Sequence, residues 1–214
     1  MLNILLNTVL VIFLLIIGWL SVVKIVRRFY KFPMPEFMAN LIDNPLRRKI
    51  QPPYQTAIRH GIEPGMTVLD VGPGNGTYTL AAARRVGDKG KIVAVDIEPR
   101  MIERVLRRAE AEKVTNIETR IANVKDLPFE DGLFDVVYMI AVIGEIPGPE
   151  EAIQELHRVL KSTGTLVISE LFPDPDYSLP NTLVRLVSPI GFRLRKKIGN
   201  LFYYTLIFEK ASST

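Results

Sequence analysis

The sequence predicts an α/β fold: a seven-stranded, mostly parallel sheet with helices on both faces, closed by an antiparallel hairpin and preceded by one transmembrane helix. Three observations predict it. Strand-like and helix-like runs alternate between residues 62 and 170, the pattern of parallel strands joined by crossover helices. Two further strand-like runs near the C-terminus are separated by a short glycine turn. No charged side chain interrupts Met1–Val23.

The apolar run comes first in the chain. About twenty helical residues cross the ~30 Å hydrocarbon core, and Ile4–Val23 has that length. Trp19, Phe29 and Tyr30 lie where aromatic side chains favour the interface, and Lys24, Arg27, Arg28 and Lys31 follow. Basic residues on that side predict a single-pass protein of the cell membrane with its folded domain in the cytoplasm. A cleaved signal peptide would need basic residues before the run and small residues after it, and both are missing. The chain then divides into a helix with its basic flank (1–31), a proline-rich link or lid (32–61) and a folded domain (62–214). Within the link, Phe37, Met38, Leu41 and Ile42 share a helical face. That face fits either a helix lying on a bilayer or a cap on the domain.

From residue 62 each element has a local cause. Thr67–Gly72 is a β-branched run after the turn Pro64-Gly65. Thr77–Val86 reads as a helix stopped by Gly87, and Lys91–Asp96 as the second strand. Pro99 opens a helix to Glu112, with Met101, Ile102, Val105, Leu106 and Ala109 on one period. Ile117–Ala122 and Asp135–Ile140 are the third and fourth strands, and Pro149–Leu160 is another helix. Thr165–Glu170 is the fifth strand, after a turn at Ser162–Gly164. Gly191–Lys197 and Leu201–Glu209 form the hairpin around Ile198-Gly199-Asn200.

Composition removes several chemistries. The chain has no cysteine and two histidines, His60 and His157, so disulfides, thiolate nucleophiles and cysteine or histidine metal sites are excluded. The net charge of +4 is local: residues 24–60 hold eight Lys/Arg against Glu36 and Asp43, while residues 61–214 carry a small acidic excess. A nucleic-acid binder would carry its basic face on the folded domain. The basic stretch suits a lipid bilayer instead.

Ligands of open α/β sheets bind beyond the carboxyl ends of the strands. There the first strand carries Asp70-Val71-Gly72-Pro73-Gly74-Asn75-Gly76, and the second ends in Asp96, placed to accept ribose hydroxyls. The G-x-G-x-G spacing differs from the G-x-G-x-x-G of a pyrophosphate loop. An acid two residues before the first glycine repels phosphate and suits a cation. Asp70 also has a plainer reading as a cap on local backbone groups. His157 and Asp135 read as structural residues. The run Arg193–Lys197 fits either a solvated strand face or a lipid phosphate contact.

Five segments in order carry a resemblance: Val68–Gly76 (VLDVGPGNG), Val93–Pro99 (VAVDIEP), Asn123–Phe129, Asp131–Ile140 (DGLFDVVYMI) and Leu156–Glu170 (LHRVLKSTGTLVISE). Together they resemble the Rossmann-like class I S-adenosylmethionine-dependent methyltransferases, and within these the ubiquinone/menaquinone-type subgroup. The resemblance covers about residues 62–170 closely and leaves out the N-terminal run. It implies S-adenosylmethionine as cofactor. Gly72, Gly74 and Gly76 would surround its methionine part, with Asp70 near the ammonium. Asp96 would hold the ribose, and Ile97 would lie against the adenine. Asn123 stands where the family usually has an acid near the adenine amino group, Val124 would offer a backbone amide, and Ile140 and Ala141 would line the methionine side.

Methyl transfer from a sulfonium has a neutral leaving group, so alignment is the main requirement, and a carbon or phenol acceptor also needs a base. Tyr54, Tyr78, Glu145 and Glu170 are the polar candidates, with Tyr54, Glu145 and Glu170 the foremost. The apolar N-terminus points to a membrane-associated small-molecule acceptor: a lipid amine headgroup, an isoprenoid quinone precursor or a similar apolar compound. An NAD-dependent oxidoreductase and a catalytically inactive, membrane-tethered adaptor are the alternatives. The sequence leaves the oligomeric state open.

Overall fold

The computed structural model describes residues 43–172 and 174–211, together with positions 7, 8, 10–12, 14, 15, 18 and 22. Two short helices, α1 (Pro45–Ile50) and α2 (Pro53–Arg59), precede the sheet. The domain then runs β1 (Thr67–Val71), α3 (Thr77–Val86), β2 (Lys91–Asp96), α4 (Pro99–Ala111), β3 (Ile117–Ile121), β4 (Phe134–Ile140), α5 (Pro149–Val159), β5 (Leu160–Leu171), α6 (Pro180–Val187), β6 (Phe192–Gly199) and β7 (Tyr203–Lys210).

The strands form one sheet in the order β3-β2-β1-β4-β5-β7-β6. The first five are parallel, and β7 inserts antiparallel between β5 and β6. The order reverses between β1 and β4: from β1 the chain builds outward to β3, then returns to start the other half. Such a switch point opens a crevice at the carboxyl ends of the two central strands.

Side chains of β1 alternate between two cores. Leu69 and Val71 pack with Val137, Met139, Ile153, Leu156 and Leu183. Val68 faces the other way, with Ala82, Val86, Ile92, Val136 and Tyr138. Asp70 shares the parity of Val68 and pairs in register with Tyr138. A carboxylate is thereby carried into a core face directly beside a tyrosine.

Most elements lie within a residue or two of their sequence assignments. Two details differ. β5 begins at Leu160, because Phe134 pairs with Leu160 before the register shifts and Val136 pairs with Thr165. The expected turn at Ser162–Gly164 is therefore a bulge inside the strand. The hairpin turn falls at residues 200–202, after Gly199. Asp135 is structural: it accepts from the Thr67 amide at 2.9 Å and from Lys161 Nζ at 2.6 Å, tying the starts of three strands. His157 packs edge-on to Phe192 with ring centroids 5.0 Å apart.

The transmembrane reading is corrected. Among the described residues no helix is long and apolar enough to cross a membrane. A span needs about twenty consecutive helical residues, and the described positions of the apolar run do not supply one. The single-pass cell-membrane location with a cytoplasmic domain is overturned with it. The remainder of Ile4–Val23, the basic flank and the face of Phe37, Met38, Leu41 and Ile42 lie outside the described residues.

α2 is pinned to the sheet by His60 at its C-terminal end. The buried imidazole Nε2 is 3.0 Å from Ser169 Oγ, which is 2.7 Å from Thr205 Oγ1, and the ring lies 5.2 Å from that of Tyr138. Burial, reinforced by the Arg59 charge, lowers the imidazole pKa to about 3. The unfolded chain thus binds a proton below about pH 6.5 that the folded chain refuses until about pH 3. Stability contributed by neutral His60 is present above that window and lost as pH falls through it, at about 1.4 kcal/mol per pH unit. Chemical denaturation of wild type and His60→Gln between pH 7 and pH 4 checks this. The stability difference between them should shrink on acidification, and a constant difference contradicts it.

Candidate functional site

At the switch point the loops after β1, β2, β3 and β4, with the N-terminal segment, enclose a cavity of about 390 Å³. β1 delivers Asp70, Gly72, Pro73 and Gly74; β2 delivers Asp96, Ile97 and Glu98. Ala122, Asn123, Val124 and Lys125 follow β3, and Ile140, Ala141, Val142 and Glu145 follow β4. The wall is mainly apolar, with a few convergent polar groups, as small-molecule sites are.

Asp70 is 2% exposed. Its Oδ2 accepts from Thr79 Oγ1 and from Tyr138 Oη, both at 2.6 Å. Burial pushes its pKa up to about 7; the two hydroxyls act against this, and the neighbouring Asp96 charge adds to it. Asp96 is also raised, to about 6, chiefly by burial and against a 2.9 Å bond from the Glu98 amide. Two carboxylates in this condition lower their energy by meeting a cation or hydroxyl donors.

The glycines divide by role. Gly72 has φ +69°, and a Cβ there would lie 2.5 Å from Val142 Cγ2. At Gly74, φ +56°, an added Cβ meets nothing within 4 Å, so the loop leaves room beside the cavity. Gly76 stands apart from the other two. It does not line the cavity; a Cβ there would press on Leu80, 3.2 Å away, and Val105, 3.3 Å away, where α3 packs against α4. Ala141 adopts φ +58° in the wall after β4, a strained conformation for a residue with a side chain.

Of the proposed acceptor-side residues, Glu145 and Tyr78 line the cavity. Tyr54 does not; it is on α2, 47% exposed. Glu170 does not either. It is 1% exposed behind the wall, with Oε1 lacking a hydrogen-bond partner, and burial together with the charges of Asp174, Asp176 and Glu145 holds its pKa well above the usual carboxylate range.

The sequence reading missed the N-terminal contribution. Asn44 caps α1 by accepting from the Arg47 amide at 3.0 Å, with Pro45 in the first turn, and this delivers Asp43 and Arg47 to the cavity. The Asn44-Pro45 pair was the available signal. Arg47 lies 5.7 Å from the Tyr78 ring centroid and donates to Gln51 Oε1 at 3.3 Å. Asp43 accepts from Arg48 at 2.8 and 2.9 Å, from Asn75 Nδ2 at 2.6 Å and from the Thr77 hydroxyl. Although burial opposes it, these bonds and the Arg48 charge hold its pKa down at about 2. Arg108 reaches the same loop, donating to the Asn75 carbonyl at 3.0 Å and to Thr77 Oγ1 at 2.7 Å. Asp174, also in the wall, had no motif to announce it.

A family model described as a methyltransferase domain matches residues 62–185. The chain belongs to this family of methyltransferase domains. It is 34% identical over 143 residues to the ubiquinone/menaquinone biosynthesis C-methyltransferase UbiE of a Shewanella species, a match covering 66% of this chain and 55% of that protein. It is 38% identical over 109 residues to a 2-phytyl-1,4-naphtoquinone methyltransferase of a Nostoc species, covering 50% and 48%. The chain thus spans about half the length of the curated relatives it matches. A methyltransferase structure from Aquifex aeolicus superposes with a TM-score of 0.77 at 24% identity, over 82% of this chain and 98% of that one, which establishes the fold.

The lining fits S-adenosylmethionine, the cofactor that the sequence resemblance implies. It presents a cation (Arg47), buried carboxylates (Asp70 and Asp96) and an unobstructed glycine (Gly74) around one apolar cavity, matching a ligand with a carboxylate, cationic groups and a ribose. Asp43 should matter through the loop it fastens. Asp43→Ala is expected to raise the dissociation constant of S-adenosylhomocysteine about tenfold or more, since hydrogen bonds to charged groups are worth about 1.5–3 kcal/mol. Calorimetric titration measures this, and unchanged affinity would show that the loop holds its shape without the tether.

Proposed function

We propose that this methyltransferase alkylates an apolar, quinone-type small molecule, with an isoprenoid quinone precursor as the acceptor class. The observation that carries the reading is one cavity in which Asp70, Gly74, Asp96 and Asn123 converge beneath an apolar wall. The two relatives named for quinone methylation support the acceptor class.

In this reading Asp70 meets the cofactor's ammonium, Arg47 its carboxylate and Asp96 its ribose hydroxyls. Gly72 and Gly74 let backbone approach the methionine part. Ile97, Asn123 and Val124 border the adenine, and Ile140 and Ala141 border the reacting end. When bound, the cofactor supplies an activated methyl group. The chain's own work is alignment and exclusion of water, the principal demands of a displacement with a neutral leaving group.

Methylation of a ring carbon or a phenol also releases a proton. Glu145, in the wall after β4, is the residue we assign to receive it. Glu170 is buried, its pKa held well above the usual carboxylate range by that burial, and supports the loop behind the wall.

The test is incubation of the protein with S-adenosylmethionine carrying an isotopic methyl label and 2-phytyl-1,4-naphthoquinone held in its reduced form. Label should appear on the naphthoquinol ring. Label on a lipid amine, with none on the quinol, overturns the acceptor class. Glu145→Gln should lower kcat by about 10²-fold or more, the usual size of a general-base contribution, with S-adenosylhomocysteine affinity within about twofold of wild type. Unchanged kcat removes Glu145 from the chemistry.

A further inference from the structure

Asp70 is the most buried polar residue lining the cavity, and the groups that hold it come from two other elements. Tyr138 stands opposite it on β4, in the strand register that pairs the two residues. Thr79 reaches it from the first turn of α3. Both hydroxyls donate to the same oxygen, Oδ2, at 2.6 Å. Thr79 is 0% and Tyr138 1% exposed, so neither hydroxyl has water as an alternative partner. The carboxylate is gripped by one oxygen, and its Oδ1 is the oxygen these hydroxyls do not engage.

We propose that Tyr138 and Thr79 are positioning residues for the cofactor: they clamp Asp70 by Oδ2, present Oδ1 to the cofactor's ammonium, and make binding of that ammonium depend on the proton held by Asp70. The proposal rests on the assignment of Asp70 to the ammonium.

The charge balance shows why the clamp is needed. A carboxylate sealed in a core face is driven toward its neutral acid, which would offer an ammonium no opposite charge. Two donated hydrogen bonds favour the ionised form. The net result is an Asp70 pKa of about 7, so protonated and ionised forms are both populated at neutral pH. Binding an ammonium then requires the ionised form and expels the proton when it is present.

Asp96 titrates close by, at about 6, so the break near pH 7 belongs to Asp70 only if it disappears in Asp70→Asn. Asp96, at the end of β2, adds a nearby negative charge that raises Asp70 further. His60, packed on the Tyr138 ring from α2, is neutral well below pH 7. Tyr138 itself is pushed up by burial and by Asp70, so it remains a donor throughout. The N-terminal segment brings Asp43 and Arg47 to the cavity, and the loops after β2, β3, β4 and β5 bring Glu98, Lys125, Glu145 and Asp174. Of these, Asp43 is already fully ionised, at about 2.

The experiment is calorimetric titration of S-adenosylhomocysteine into the full-length wild type and the Tyr138→Phe, Thr79→Val, Thr79→Ser and Asp70→Asn variants between pH 5 and pH 9. In wild type the dissociation constant should rise as pH falls below about 7. Loss of one donor, taken as a shift of about one pH unit in Asp70, gives a variant-to-wild-type ratio of about tenfold at pH 5, about fivefold at pH 7 and near one at pH 9. Tyr138→Phe and Thr79→Val should both show this converging ratio, and Thr79→Ser should restore wild-type behaviour. Asp70→Asn should bind weakly without the break near pH 7. A ratio that is constant with pH in both donor variants means that Tyr138 and Thr79 only support the fold and overturns the clamp. Wild-type affinity and pH dependence in Asp70→Asn overturns the assignment of Asp70 to the ammonium, and the clamp with it.

Discussion

A carboxylate buried at the end of a central strand is the constraint on which the rest of this site depends. Asp70 must lie at the switch point, because only there do the carboxyl ends of β1 and β4 part to admit a ligand. The alternation of β1 then turns its side chain into the core face that holds Val68 and Tyr138. An isolated charge there would be costly. The cost is offset by two hydroxyls from neighbouring elements, and it is lowered further when a cation arrives. The burial of Asp70 therefore sets the chemistry of the ligand, and the packing of α3 and β4 sets the aim of the carboxylate.

A second constraint comes from outside the strand pattern. The glycine loop has to be open enough for close approach, which Gly74 provides, and it therefore needs fastening from elsewhere. Asp43 does this by joining Asn75, Thr77 and Arg48, and Arg108 adds a grip from α4. The segment before the sheet is thus a wall of the cofactor cavity as well as a link. The same segment carries Arg47, whose cation balances the carboxylates across the cavity.

How much of this was legible in the sequence follows from how local each signal is. The strands and helices between Thr67 and Glu170 were legible because each is bounded by its own turn residues and carries its own periodicity. Asp70, Gly72, Gly74, Asp96, Ile97, Asn123, Val124 and Ile140 were legible because strand ends fix where they must stand, and all line the cavity. The helix contact at Gly76 was not legible, since spacing cannot separate a glycine that clears a ligand from one that lets two helices touch. Glu170 was misplaced because a residue at a strand end can turn behind the wall as well as into it. Asp43, Arg47, Thr79 and Tyr138 escaped notice, as their roles arise from contacts 9 to 68 residues apart in sequence. The apolar N-terminal run was read from composition and length alone, and no helix among the described residues bears the span out.

The fold by itself is compatible with many chemistries, so the site must carry the functional claim. That claim is a cationic, phosphate-free cofactor at Asp70 and Asp96. Side-by-side calorimetric titration of the protein with S-adenosylhomocysteine and with NAD tests it most directly. Saturable binding of S-adenosylhomocysteine at one site per chain, with no binding of NAD at the same concentrations, is expected. Binding of NAD with none of S-adenosylhomocysteine would contradict it.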